Sequence, residues 1–148
     1  MKKQHLIFLI LGIAATVLFV LFGEWFYELR YVNGFSDDMH NLELNMTVSL
    51  ITALLPWAAA GVYYYAINSV RFDRWYHWMV VLALVMLITP VVCYMVTDSV
   101  FANNGKLYVA ESITFELMNM LWAALLYVIA SYSIRWWSTN CRHTPIPQ

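Results

Sequence analysis

Charge is what this sequence has least of. Only 11% of its 148 residues are Asp, Glu, Lys or Arg, against about 25% in an average soluble domain. A soluble chain of this size has too much surface to cover with so few charges, and a bilayer is the solvent that removes the conflict. Net charge is −1, so no overall basic field points to nucleic acid. Cysteine is scarce too. Cys93 and Cys141 make no CxxC and no metal-ligand cluster, and the four-span layout derived below puts them on opposite sides of the membrane, too far apart for a disulfide. There is no internal repeat, no phosphate-binding glycine loop, no HExxH and no serine-nucleophile motif. The paired cysteines of membrane thiol oxidases, the mid-helix glutamate of small multidrug transporters and the outer-loop cysteines of claudin- and tetraspanin-like proteins are also missing. The chain resembles no family on these residues, and no catalytic, cofactor-binding or metal-binding residue is assigned.

Long apolar runs fill the space that charge leaves. Leu6 to Phe22 has neither charge nor proline, and Leu44 to Val70 is uncharged. Trp75 to Thr97 carries only His77, and Ser112 to Ile134 is broken only by Glu116. A span needs about 17 to 25 apolar residues, so the expectation is four spans, near 6–24, 45–69, 75–97 and 112–134, in one membrane domain covering 1–148. The first run follows a basic start but exceeds a signal-peptide core of about 7–15 residues. Phe22-Gly23-Glu24-Trp25 offers no small-x-small cleavage site, so the first helix is expected to stay. The expected fold is an all-α, up-down-up-down four-helix bundle in the membrane.

Basic residues set the expected orientation. Lys2, Lys3, Arg71, Arg74, Arg135 and Arg142 fall in three places that share one side, so six of eight basic residues lie there, and only Arg30 and Lys106 lie opposite. The Lys/Arg excess marks the cytoplasm, which puts both termini inside. A compact chain with cysteine-free outer loops suits a bacterial inner membrane. Trp25, Phe26 and Tyr27 at one interface, and Trp75, Tyr76, Trp78, Trp136 and Trp137 at the other, read as headgroup-level anchors.

The loops carry local signals. Arg71 to Arg74 is a helical-hairpin turn. Helix 1 is expected to run on to about Val32, with Asn33-Gly34 as its stop and Ser36-Asp37-Asp38 as the start of the next helix. Asn103-Asn104-Gly105 between Val100-Phe101 and Leu107-Tyr108-Val109 suggests a small β-hairpin. Asn45-Met46-Thr47 fits a glycosylation pattern but sits too near the membrane to be used.

In lipid, small and polar residues mark helix contacts. The stripes are Gly12, Ala15, Thr16 and Phe19; Ser49, Ala53, Trp57, Ala60, Tyr64 and Asn68; Ala83, Met86, Pro90, Cys93 and Thr97; and Ser112, Glu116, Asn119, Ala123, Tyr127 and Ala130. Pro56 and Pro90 each remove a helix hydrogen bond, a packing role before a functional one. Glu116 is the one formal charge inside a span, an expensive placement. It can reach toward water or pair with Lys106 or Arg30, and Asn119 three residues on can share its site. Glu24 and Glu28 repel at four-residue spacing and, with Asp37, Asp38 and His40, make an acidic outer vestibule without the ligand order of a calcium loop. One or two of Tyr63-Tyr64-Tyr65 can line a polar cavity.

The expected role is a non-enzymatic membrane subunit that assembles with itself or with a partner protein. The alternative is a cation channel, transporter or pore-forming effector acting as an oligomer, with Glu116, Asn119 and Tyr127 lining its path behind the acidic mouth. A membrane enzyme ranks below both, since an acid without a base, metal or nucleophile makes a poor site.

Overall fold

A computed structural model describes residues 3–145; Lys2, one of the residues behind the orientation argument, lies outside them. Every element is helical: α1 (Lys3–Leu21), α2 (Gly23–Glu28), α3 (Phe35–Asn41), α4 (Leu44–Gly61) continued by a π-helical turn (Val62–Ile67), a 3₁₀ turn (Val70–Phe72), α5 (Trp75–Asn103), α6 (Val109–Ile134) and a final 3₁₀ turn (Arg135–Trp137). Four of these helical stretches, Lys3–Leu21, Leu44–Ile67, Trp75–Asn103 and Val109–Trp137, are long and apolar enough to cross a membrane.

The expected β-hairpin is absent; the described residues contain no strand. Val100 and Phe101 instead prolong α5. The reason lies in the spacing: Cys93, Thr97 and Phe101 recur every four residues and are all buried, so the helical face simply continues. Asn104-Gly105 makes only a turn, closed by Lys106 N–H donating to the Phe101 carbonyl (2.9 Å).

Helix 1 also stops earlier than expected. It ends at Leu21, and Gly23 starts the short α2. A Cβ on Gly23 would lie 1.8 Å from Ser49 Oγ and 2.8 Å from Ser49 Cβ, so only glycine lets this turn lie against α4. Gly34, at φ 79°, opens α3. The capping carboxylate belongs to Asp37, whose Oδ2 accepts from Gly34 N–H (3.2 Å), while Ser36 Oγ accepts from Val32 N–H (2.9 Å). α3 and α4 are separate helices, broken at Leu42-Glu43, where Glu43 is left-handed at φ 54°.

α6 is the central helix, packing against α1, α4 and α5. Its expected stripe is buried at every position from Ser112 through Glu116, Asn119, Ala123 and Tyr127 to Ala130. On α4, Ser49, Ala53, Ala60 and Tyr64 are buried, and so is Pro56. Only Gly12 and Phe19 are buried on α1. Ala15 and Ala83, expected on contact stripes, are exposed. Exposed faces of α1 and α5 are Leu, Ile, Val and Met, for example Leu11, Leu18, Leu87 and Met95, the composition that lipid accepts.

The end of α4 is finished by the C-terminal segment. Asn68, left-handed at φ 31°, accepts at Oδ1 from Ser138 Oγ (2.8 Å) and Asn140 N–H (3.0 Å). It also donates to Thr139 Oγ1 (2.9 Å), and Tyr64 Oη donates to the Thr144 carbonyl (3.1 Å). Asn140 Nδ2 donates to the Asn68 carbonyl (2.6 Å), an acceptor of the kind a helix end leaves open. These bonds also bury Cys141 beneath the segment, and that burial pushes its thiol pKa up. Both cysteines are free thiols.

Candidate functional site

The most concentrated buried polar chemistry sits around Asn119. Its Oδ1 accepts from two hydroxyls, Tyr27 Oη on α2 (2.9 Å) and Thr52 Oγ1 on α4 (2.9 Å). Its Nδ2 donates to Glu116 Oε2 (2.9 Å). Thr52 Oγ1 also lies 3.7 Å from Cys93 Sγ on α5. The amide thus joins α2, α4 and α6, and Thr52 extends the group to α5, with Asn119, Thr52 and Cys93 fully buried. The i, i+3 spacing of Glu116 and Asn119 puts both on one face of α6.

Glu116 is only 6% exposed. It does not reach water or pair with Lys106 or Arg30, the two partners its sequence position offered. Lys106 is held by Asp38 (2.6 Å), and Arg30 lines a separate surface pocket with Glu111 and Thr114. The second carboxyl oxygen of Glu116, Oε1, is buried without a hydrogen-bond partner among the described residues. A buried acceptor left open is uncommon and costly, so this atom is where a ligand or a proton has most to offer.

Tyr127 is not part of this cluster. Eight residues beyond Asn119, or about 12 Å along the helix, it packs at a tilt against Trp78 (5.3 Å between ring centroids) beside Tyr63 and Tyr64. Tyr63 and Tyr64 are buried and bonded to backbone carbonyls rather than lining a polar cavity. Ala123, between Asn119 and Tyr127 on α6, is fully buried.

The acidic residues singled out in the outer loops, Glu24, Glu28, Asp37 and Asp38, lie in four settings. Asp37 accepts from Tyr31 Oη (2.6 Å) and caps α3. Asp38 accepts from Lys106 Nζ (2.6 Å) and Tyr108 Oη (2.6 Å), latching α3 to the α5–α6 loop. Glu24 pairs with His40, and both line a pocket of about 460 Å³ with Glu43 and Asn45; Glu28 is exposed. Among the described residues no group of three or more His, Cys, Asp or Glu side chains is placed to hold a metal ion.

The latch gives a pH prediction. Lys106 and Tyr108 hold the Asp38 carboxyl below its usual pKa, so its contribution is present above the usual carboxylate value of about 3.9 and is lost as pH falls through the lowered one. Asp38 raises Lys106 and Tyr108. Their contribution is present below their usual values of about 10 and lost as pH rises through the raised ones. Hydrogen exchange at residues 35–41, corrected for intrinsic rate, should therefore show a protection plateau between these limits. Asp38→Asn should flatten the profile; a profile unchanged by that substitution would remove the latch.

Sequence reasoning singled out Glu116 and Asn119 but missed Thr52, Cys93 and Tyr27 as their companions. Thr52 is next to Ala53 of the α4 stripe and Cys93 is itself a member of the α5 stripe, which was the available signal. Tyr27 gave none, because an aromatic at a span end is ordinarily an interface anchor. No protein-family model, no curated protein and no solved structure matches this chain.

Proposed function

We propose that this chain is a non-enzymatic membrane subunit that crosses a bacterial inner membrane four times, up-down-up-down with both termini in the cytoplasm, and assembles with itself or with a partner membrane protein. The observation that carries the reading is the use made of the core's polar groups. Asn119 ties α2, α4 and α6 together, Trp57 Nε1 donates to Thr16 Oγ1 (2.9 Å), and Trp78 Nε1 donates to Ser131 Oγ (3.0 Å). In lipid such bonds hold helices to one another, and here they join every spanning helix to a neighbour. Ala123 and Val85 are buried in the core cluster that also holds Tyr127, which supports a packed bundle over a conduit within one copy. The broad apolar faces of α1 and α5 are what remains for lipid or for other spans. Mass measurement of the complex released in a native lipid disc tests this. A homo-oligomer or a complex with a second membrane protein is expected; a monomer at native abundance would overturn it.

The second reading, a cation path formed between copies, draws on the pocket where Glu24, His40 and Glu43 meet. Carboxylates at such a mouth concentrate cations. Glu24→Gln with Glu43→Gln should then lower cation flux in liposomes while leaving the assembly's mass unchanged.

A further inference from the structure

Arg30 and Glu111 are opposite charges that line one hollow without closing it. Both border a pocket of about 210 Å³, where the segment between α2 and α3 meets the start of α6. Among the described residues neither takes part in an ion pair, with the other or elsewhere, whereas Lys106 close by is held by Asp38. Arg30 is exposed and Glu111 only partly buried, so both charges are open to a ligand.

The rest of the pocket is apolar and has a direction. Phe35 and Phe115 are buried beneath it, with ring centroids 5.6 Å apart. Val32 and Met118 line it while packing on the same core cluster. Ala110, Thr114 and Met118 follow at four-residue spacing on α6, so the pocket runs about 12 Å along the helix. With α6 across a bilayer, the charged end lies at headgroup level and the Met118 end among acyl chains. A purely anionic head would be drawn by Arg30 and repelled by Glu111, and a purely cationic head would meet the reverse. A head that carries both signs satisfies both walls, and an alkyl chain suits the deeper end.

We propose that this pocket binds a glycerophospholipid whose zwitterionic headgroup ends in a primary amine, its phosphate set against Arg30, its ammonium against Glu111 and the top of an acyl chain over Phe115 and Met118. A guanidinium matches phosphate oxygens, and an ammonium brings three N–H donors to a carboxylate. A choline head has the positive charge without donors, and a glycerol head has neither the charge nor a cationic donor, so the two separate the contributions. The site rests on the chain lying in a bilayer and is independent of whether it works as a subunit of an assembly.

The test uses the full chain in nanodiscs of phosphatidylethanolamine, phosphatidylcholine and phosphatidylglycerol in equal parts with matched chains. Native mass spectrometry then counts the lipids that stay with the released protein. Phosphatidylethanolamine should be retained at least about threefold over either competitor, the scale of one interfacial ion pair. Glu111→Gln should erase that preference, and Arg30→Gln should lower phosphatidylethanolamine retention by a similar factor. Ala110→Trp fills the pocket from an exposed position and should abolish the preference even if a charge variant fails to fold. Soluble glycerophosphoethanolamine in excess should not displace the lipid, because it lacks the chains that Phe115 and Met118 would hold. Equal retention of the three lipids, phosphatidylglycerol at or above phosphatidylethanolamine, an unchanged result in either charge variant or in folded Ala110→Trp protein, or displacement by the soluble head would each overturn the site. Failure of the chain to float with vesicles would overturn the membrane reading itself, a result distinct from an inserted protein without lipid preference.

Discussion

Asn119→Leu should destabilise the bundle by about 2–4 kcal/mol, with little change in side-chain volume. The substitution strands three groups at once: the hydroxyls of Tyr27 and Thr52 lose their acceptor, and Glu116 Oε2 loses its donor. Each buried polar group left unpaired costs about 1–3 kcal/mol in a protein interior. In membranes the average falls to about 0.6 and the maximum to about 1.7 kcal/mol, because displaced groups find other partners. Two features push this site toward the upper figures. Asn119 and Thr52 are fully buried, and Glu116 already holds one unpartnered oxygen. Equilibrium unfolding in mixed micelles measures the loss. Because the cost lies in stranded partners rather than in the amide itself, Tyr27→Phe with Thr52→Val in the Asn119→Leu background should recover much of it. A single-variant loss below about 0.5 kcal/mol, less than one average membrane hydrogen bond, would mean that the cluster does not hold these helices together.

This cluster also shows what could be read from sequence. The four helices long and apolar enough to cross a membrane were legible because length and charge exclusion act over about 20 residues and tolerate local error. The α6 stripe was legible because its polar and small residues recur at helical spacing, so Glu116 and Asn119 arrive on one face without tertiary information. Tyr27 reaches Asn119 only because Gly23 lets α2 turn against α4, a contact set by a serine 26 positions away. Local pattern instead extended α1 through this segment, since Glu24 to Arg30 is itself helix-compatible. The missing hairpin has the opposite cause. The three-residue turn signal Asn103-Asn104-Gly105 was weighed above the positions Cys93, Thr97 and Phe101, although a long amphipathic register outweighs a short turn motif. The clamp on Asn68 by Ser138, Thr139 and Asn140 is long-range pairing among common polar residues, for which no periodic signal exists.

Gly12→Ala should lower stability by about 1–2 kcal/mol, and the sign is the informative part. Helix propensity alone favours alanine over glycine by about 1 kcal/mol within a helix, so a loosely packed α1 would gain. The observed contact argues otherwise. A Cβ at Gly12 would lie 1.8 Å from Ser133 Oγ and 2.9 Å from Ser133 Cβ on α6. Turning the serine hydroxyl aside breaks its 2.7 Å bond to the Ile129 carbonyl and still leaves the Cβ too close, so the helices must separate. Overpacking of this kind costs about 1–3 kcal/mol, enough to outweigh the propensity gain. Gly23→Ala meets the same geometry at Ser49, whose Oγ is bonded to the Asn45 carbonyl (2.7 Å). Since α1 buries only Gly12 and Phe19, the two glycines carry much of its attachment, and the double variant should release α1 to protease while α4, α5 and α6 stay folded. Ser133→Gly in the Gly12→Ala background removes the opposing Cβ and should restore part of the loss. If Gly12→Ala stabilised the protein, propensity would have won, and α1 would have to sit farther from α6 than a glycine–serine contact allows.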